Sequence, residues 1–124
     1  MAAPQASTPV VARCHCGAVS LTLSAPPTQI THCNCSLCRS YGVLWAYYAK
    51  ADVQIDAGTP TQSYAWNGKN VDFHRCANCG CITHWWPRKD SRDRVGINAR
   101  LLDPRLIEAA TLVRKDVAGT GLFH

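Results

Sequence analysis

The sequence lacks long apolar runs and has no basic segment leading into one. No stretch approaches the roughly 18 consecutive apolar residues of a membrane-spanning helix. The first residues, MAAPQASTP, carry neither the positive charge nor the apolar core of a secretory signal peptide. These absences predict a cytoplasmic protein with no membrane partner. In that compartment thiols stay reduced, so disulfides are not expected.

The chain is also short and has few charged residues, which limits the number of domains. The 124 residues, 47% hydrophobic and 17% charged, leave room for one compact domain. No internal repeat or low-complexity tract divides the chain. Residues 1–9 are rich in Ala, Pro, Ser and Thr and have too little apolar content to pack. We therefore expect a disordered N-terminal tail over residues 1–9, followed by a single domain over residues 10–124.

Hydrophobic alternation and turn residues predict a mainly β fold. Val19, Leu21 and Leu23 alternate with polar residues, as in a half-buried strand. The pair Asn67-Gly68 favours a tight hairpin turn. The hairpin arms are predicted at 62–66 and 71–75, and further strands at 43–49, 53–55, 82–86 and 95–99. One short helix near the C-terminus is predicted over 103–110, with Asp103 as its N-cap and Pro104 at the first helical position.

What the sequence does contain is eight cysteines. They fall in three groups: Cys14 and Cys16; Cys33, Cys35 and Cys38; Cys76, Cys79 and Cys81. Two thiolates spaced Cys-x-x-Cys can reach the same tetrahedral zinc ion from one turn, and Gly80 relaxes such a turn. A Cys-x-Cys pair on an extended segment would be strained as a disulfide. The spacing therefore predicts zinc rather than disulfides.

Eight thiols divide into two sets of four, which predicts two zinc ions per chain. The simplest division joins Cys76 and Cys79 to Cys14 and Cys16 in a structural site. It leaves the triplet Cys33, Cys35 and Cys38, with Cys81 as a possible fourth ligand. A closed second site would hold structure, whereas an open position would let zinc bind a substrate atom. The cysteine pattern is therefore compatible with two interpretations. One is an enzyme, and the other is a non-catalytic zinc-stabilised binding module with two structural four-cysteine sites.

Three segments carry a resemblance to a known family. CHCGAVS at 14–20, THCNCSLCR at 31–39 and FHRCANCGC at 73–81 resemble the glutathione-dependent formaldehyde-activating (GFA) family, which includes centromere protein V relatives. The resemblance implies small twisted antiparallel sheets arranged like a tent around the metal. It implies a structural zinc at Cys14, Cys16, Cys76 and Cys79, and a catalytic zinc at Cys33, Cys35 and Cys38.

The resemblance also implies an activity. GFA enzymes are carbon–sulfur lyases that join formaldehyde to glutathione, giving S-hydroxymethylglutathione. The implied partners are thus a small-molecule thiol and an aldehyde.

Three residues outside the cysteines, together with one of two adjacent tryptophans, are hypotheses for the site. His32 directly precedes Cys33, and His84 follows the segment after Cys81. Either could move a proton, because histidine titrates near neutrality. The alternative is that each orients a metal-bearing loop. Arg39, directly after the triplet, is a candidate to bind a carboxylate of glutathione or a similar ligand. Trp85 and its neighbour Trp86 must point to opposite faces of a strand, so one of them would line the second zinc site or a subunit interface.

The net charge of +5 would by itself keep nucleic acid in view as a partner. Two zinc ions and eight thiolates together add about −4, leaving a formal charge near +1 in the loaded protein. The sequence therefore predicts no nucleic-acid partner. It also predicts that folding depends on metal.

Overall fold

Strands dominate the computed structural model, which describes residues 8–58, 60–65 and 70–116. In chain order the elements are β1 (Val10–Arg13), β2 (Val19–Leu23), β3 (Gln29–Cys33), α1 (Ser36–Tyr41), β4 (Trp45–Ala49), β5 (Val53–Ala57), β6 (Thr61–Tyr64), β7 (Val71–Cys76), β8 (Ile82–Pro87), β9 (Arg94–Asn98), α2 (Pro104–Ala109) and β10 (Thr111–Lys115). Short 3-10 turns at Lys50–Asp52 and Ala99–Leu101 join some of them. The predicted mainly β class is confirmed.

The strands form two sheets. The smaller has the order β1-β2-β5, and the larger has the order β10-β3-β4-β9-β8-β7-β6. All pairs are antiparallel, as predicted, except that β10 runs parallel to β3. Antiparallel neighbours can be joined by short turns, whereas a parallel pair needs a crossover connection. Here the chain between β3 and β10 includes all of β4 to α2.

Two groups of apolar side chains lie between and beside these sheets. The larger core takes the inward face of β2, whose Val19, Leu21 and Leu23 are fully buried as the alternation predicts. It also takes Leu44, which directly precedes β4, and Ile97 of β9. The second group surrounds the triplet and includes Trp45 and Val43. The fold therefore keeps the two cysteine sets in separate apolar surroundings.

Two predicted features lie outside the described residues in whole or in part. The arms of the predicted hairpin do pair, from Thr61 with Cys76 to Tyr64 with Phe73, but Asn67 and Gly68 fall outside. Of the predicted tail over 1–9, only residues 8 and 9 are described, and β1 begins directly after them. In the described part of the chain no helix has both the length and the apolar character needed to cross a membrane.

The structure adds a second short helix, α1, to the one predicted near the C-terminus. Helix α1 begins after Cys35, whose thiol accepts a hydrogen bond from the backbone N–H of Cys38. It ends at Gly42, which has a left-handed backbone with φ of 67°. Both caps are formed by neighbouring residues, and the six residues between them are too few for a helical period to be recognised in the sequence. The predicted helix α2 is confirmed, with Asp103 as its N-cap.

Candidate metal centre

The first cysteine cluster lies where turns from the two sheets meet. Cys14 and Cys16 follow β1, Cys76 ends β7, and Cys79 lies in the turn after it. The four sulfur atoms all lie within 4.8 Å of one another. The Sγ atoms of Cys14 and Cys16 are 3.7 Å apart, as are those of Cys16 and Cys76.

These distances test whether the sulfur atoms fit a metal. Zinc–sulfur bonds of about 2.3 Å in a tetrahedron place the ligand sulfurs about 3.8 Å apart. A disulfide would need about 2.05 Å. All eight cysteines are free thiols. The donor set and its spacing therefore fit zinc and do not fit disulfides.

Backbone amides stabilise negative charge on the first cluster. The N–H of Val19 donates to Cys14 Sγ at 3.3 Å, and the N–H of Asn78 donates to Cys76 Sγ at 3.4 Å. Hydrogen bonds from the backbone N–H groups of Cys81 and Cys16 lower the pKa of Cys79 to about 5. Such bonds favour the thiolate, which is the form that binds metal.

The second cluster is the triplet of Cys33, Cys35 and Cys38. Its three sulfur atoms also lie within 4.8 Å of one another. The N–H of Cys38 donates to Cys35 Sγ at 3.4 Å, and the indole N–H of Trp45 donates to Cys38 Sγ at 3.3 Å. Burial raises the pKa of the Cys38 thiol. Among the described residues no fourth Cys, His, Asp or Glu atom joins this group.

Cys81 does not lie with the triplet. Its carbonyl oxygen accepts the N–H of Cys76 at 3.0 Å, and its side chain packs with Cys79 against the larger core. The next residue, Ile82, belongs to the apolar group around the triplet, whereas Cys81 belongs to the larger core, which contains most of the first cluster. The structure therefore does not bring Cys81, the expected fourth ligand, together with the triplet.

The two candidate histidines also point away from the triplet. His32 precedes Cys33 on β3, so its side chain lies on the opposite face of the sheet. His84 is only 3% exposed, and its ring stacks on His74 with centroids 4.5 Å apart. Burial, and then the charge of His74, lowers the pKa of His84 to about 3. The geometry supports a packing role for His84.

Trp85 and Trp86 divide as the alternation predicts. Trp85 packs with the triplet, whereas Trp86 packs against the larger core. The candidate anion-binding residue Arg39 is an exposed residue of α1.

The face of the large sheet that carries Cys33 is lined with aromatic rings. Residues paired in register across a sheet share a face. Tyr47 is paired with Gly96, which is paired with Trp85. The rings of Tyr47 and Trp85 meet edge to face with centroids 6.0 Å apart. The guanidinium of Arg94 lies 3.9 Å from the centre of the Tyr47 ring.

A cavity opens on this face beside the triplet. Its volume is about 380 Å³, and it is lined by Tyr47, Trp85, Arg92, Asp93, Arg94 and Lys115. Tyr47 and Trp85 also belong to the apolar group around the triplet, and Lys115 is paired with Cys33. Sequence reasoning gave no role to Arg94 or Lys115. The signal that could have pointed to this face is Gly96 inside a strand, which marks a close approach by another group.

Comparisons with known proteins give a similar solved structure and a matching family. A crystal structure of a Rhodobacter sphaeroides protein, solved as a structural genomics target, is similar, with a TM-score of 0.66 and 25% sequence identity. The similarity covers 83% of this chain and 99% of that chain. None of the curated proteins matches the sequence. The family model described as glutathione-dependent formaldehyde-activating enzyme matches residues 9–113. Since this match spans most of the chain, the protein belongs to the GFA family.

Proposed function

We propose that the protein is a zinc-dependent carbon–sulfur lyase that joins formaldehyde to a small thiol such as glutathione, giving S-hydroxymethylglutathione. The observation that carries the proposal is the triplet, in which three sulfur atoms converge. Tyr47 and Trp85 belong both to the apolar group around the triplet and to the lining of the neighbouring cavity. Three protein ligands and an open position are typical of catalytic zinc, whereas four are typical of structural zinc. Membership of the GFA family supports the same reaction.

We further propose two zinc ions per chain, a structural one at the first cluster and a catalytic one at the triplet. Zinc at the triplet would supply a Lewis acid that favours the thiolate form of a substrate thiol at neutral pH. A cytoplasmic location accords with the eight free thiols, because thiols stay reduced there.

The chain's own residues would position the reactants. In the reaction the thiolate sulfur forms a bond to the carbonyl carbon, the π electron pair moves to oxygen, and that oxygen takes a proton. The rings of Tyr47 and Trp85 would exclude water from the forming bond. The hydroxyl of Tyr47 lies on the triplet's face and interacts with the side chain of Thr31. It would donate a hydrogen bond to the oxygen as charge develops.

The proposed activity can be tested by NMR exchange spectroscopy. Formaldehyde and glutathione exchange with their adduct without catalyst, so the measured quantity is the increase in exchange rate on adding zinc-loaded protein. We expect a clear increase with the wild type and none with Cys35→Ser. Cys81→Ser is the matched control, because Cys81 lies outside the triplet. No acceleration by the wild type at high concentration would contradict the activity on glutathione.

The metal count provides a separate test. Elemental analysis should give two zinc ions per chain for the wild type and for Cys81→Ser, and one for Cys35→Ser. A wild type with one zinc per chain would contradict the two-site proposal. If the protein holds two zinc ions tightly but does not accelerate the reaction of formaldehyde with any thiol, the non-catalytic binding module would be favoured instead.

A further inference from the structure

Two cationic side chains lie on the same sheet face as the triplet, although they come from distant parts of the chain. Lys115 of β10 is paired in register with Cys33. Arg94 of β9 is paired with Ala49, two residues after Tyr47 on β4. Side chains two apart on a strand share a face, so Arg94 lies on the face that carries Tyr47. The sheet therefore directs both cations toward the cavity beside the triplet.

Arg94 is held at the centre of this region. Its guanidinium covers the ring of Tyr47, an arrangement that combines stacking with a cation–π attraction. Arg94 and Tyr47 line the 380 Å³ cavity and also two neighbouring cavities of about 340 and 300 Å³. A ligand in any of the three would contact the guanidinium, because Arg94 borders all of them.

The charges around the cavity are unbalanced. Arg92, Arg94 and Lys115 line it together with one acid, Asp93. Within the described part of the chain, none of the three cations has a carboxylate oxygen within ion-pair distance. The carboxylate of Asp93 accepts the backbone N–H of Lys50 at 3.0 Å. The cavity thus offers positive charge to a negatively charged ligand.

We propose that Arg94 and Lys115 select a thiol substrate that carries a carboxylate, by binding that carboxylate while its sulfur lies at the triplet. The inference rests on the proposed function, since it assigns to the cavity the remainder of the molecule whose thiol reacts. Arginine suits this task because its planar group can donate two hydrogen bonds to one carboxylate. The assignment replaces Arg39, which does not line the cavity.

Binding of a thiol-free ligand tests the inference apart from catalysis. The probe is S-methylglutathione, which keeps both carboxylates and cannot react, and its Kd for the zinc-loaded protein is measured by NMR titration. We expect Arg94→Gln and Lys115→Gln each to weaken binding about tenfold, the size of one charge-assisted contact. The diethyl ester of the probe should bind the wild type less tightly than the probe does. It should bind both variants with nearly the wild-type Kd.

Arg114→Gln is the matched control. Arg114 adjoins Lys115 and loses the same charge, but it is paired with His32 and so lies on the opposite face. An equal loss of affinity in Arg114→Gln would overturn the inference. It would show that the affinity depends on the net positive charge of the region and not on contacts made by Arg94 and Lys115. Loss of zinc from Arg94→Gln or Lys115→Gln would also overturn it, since the cations would then serve the metal site.

The remaining outcomes separate this inference from the proposed function. Charge-dependent binding by a protein that does not accelerate adduct exchange would support the inference and contradict the lyase activity. Acceleration that is unaffected by Arg94→Gln and Lys115→Gln, with unchanged binding of the probe, would overturn the inference and leave the activity standing. Absence of any binding of the probe to the wild type would overturn the inference as well.

Discussion

Gly96 decides where the indole of Trp85 lies. A Cβ atom on residue 96 would overlap three atoms of that indole, including Nε1. The glycine therefore serves close packing of a ring across the sheet, and not an unusual backbone conformation. The indole placed in this way forms one wall of the cavity beside the triplet.

Gly96→Ala should accordingly displace Trp85. We expect it to lower the free energy of unfolding by about 1–3 kcal/mol, the usual cost of overpacking. In a Trp85→Ala background the same substitution should cost much less, because the overlapping ring is gone. Denaturant unfolding of the four proteins of this cycle measures the difference. Equal costs in the two backgrounds would contradict the packing role of Gly96.

His84 links the stability of the fold to pH. Burial, and then His74, lowers its pKa to about 3, whereas an unfolded histidine titrates near 6.5. Between about pH 6.5 and about pH 3 the unfolded chain therefore binds a proton that the folded chain does not. The free energy of unfolding must fall as the pH falls through this window.

We expect His84→Gln to flatten the dependence of stability on pH. The slope should decrease by up to about 1.4 kcal/mol per pH unit, the limit for one proton. Denaturant unfolding of both proteins is compared between about pH 7 and about pH 5.5 at equal free zinc. Since both proteins keep the same cysteines, loss of metal affects them alike. Parallel curves would show that His84 makes no such contribution.

Helix α1 is the element that depends most on the triplet. Its six residues are too few for a stable isolated helix, since even alanine-rich helices need about 12. Two of the three converging sulfur atoms, those of Cys35 and Cys38, belong to its N-cap and its first turns. Metal at the triplet would therefore hold the helix in place.

Cys35→Ser tests this dependence with the N-cap preserved. Serine is a good N-cap residue, so the hydrogen bond from the Cys38 N–H can persist while the metal ligand is lost. We expect amide exchange of Arg39 and Gly42 to speed up at least about tenfold. Amides of β2 should exchange as in the wild type. Unchanged protection of α1 in a variant that has lost one zinc would contradict this view.

The sequence revealed those elements whose signals are local. Strand β2 follows from alternation, and helix α2 follows from Asp103 with Pro104. Helix α1 was missed because its N-cap is a cysteine and its six residues are too few to show a helical period. Strand β10 was missed because the strand it pairs with, β3, is distant in the chain.

The candidate site likewise has a part that local sequence signals predict and a part that depends on distant segments. Cysteine spacing predicted two sets of four thiols, with Cys81 as a possible member of the second, and the structure brings together the first four and the triplet without Cys81. The placement of Cys81 depends on the path of the chain after the turn at Gly80, where the backbone has a positive φ, and spacing does not reveal that path. The cavity could not be predicted, because Arg94 and Lys115 reach it only through strand registers set by the whole sheet.

At the scale of the whole molecule, the first cluster joins the two sheets. Cys14 and Cys16 lie between β1 and β2 of the small sheet, whereas Cys76 ends β7 of the large sheet and Cys79 lies in the turn between β7 and β8. One metal ion would thus close a link between segments that are distant in the chain. In small domains the free energy of binding structural zinc contributes directly to folding. The triplet, by contrast, is formed within a single short segment of the chain.

The two clusters should therefore differ in what their loss does to the protein. We expect Cys76→Ser to lower the free energy of unfolding by at least about 3 kcal/mol, or to prevent folding, because it removes both a metal ligand and a buried core residue. Cys35→Ser should keep a cooperative transition and lose only the local structure at α1. Cys81→Ser, on the same turn as Cys76 but outside the set of four, controls for the substitution itself. Circular dichroism, guanidinium unfolding and zinc content together measure the comparison. A Cys76→Ser protein that has lost one zinc yet unfolds at the wild-type guanidinium concentration would show that the link between the sheets does not stabilise the fold.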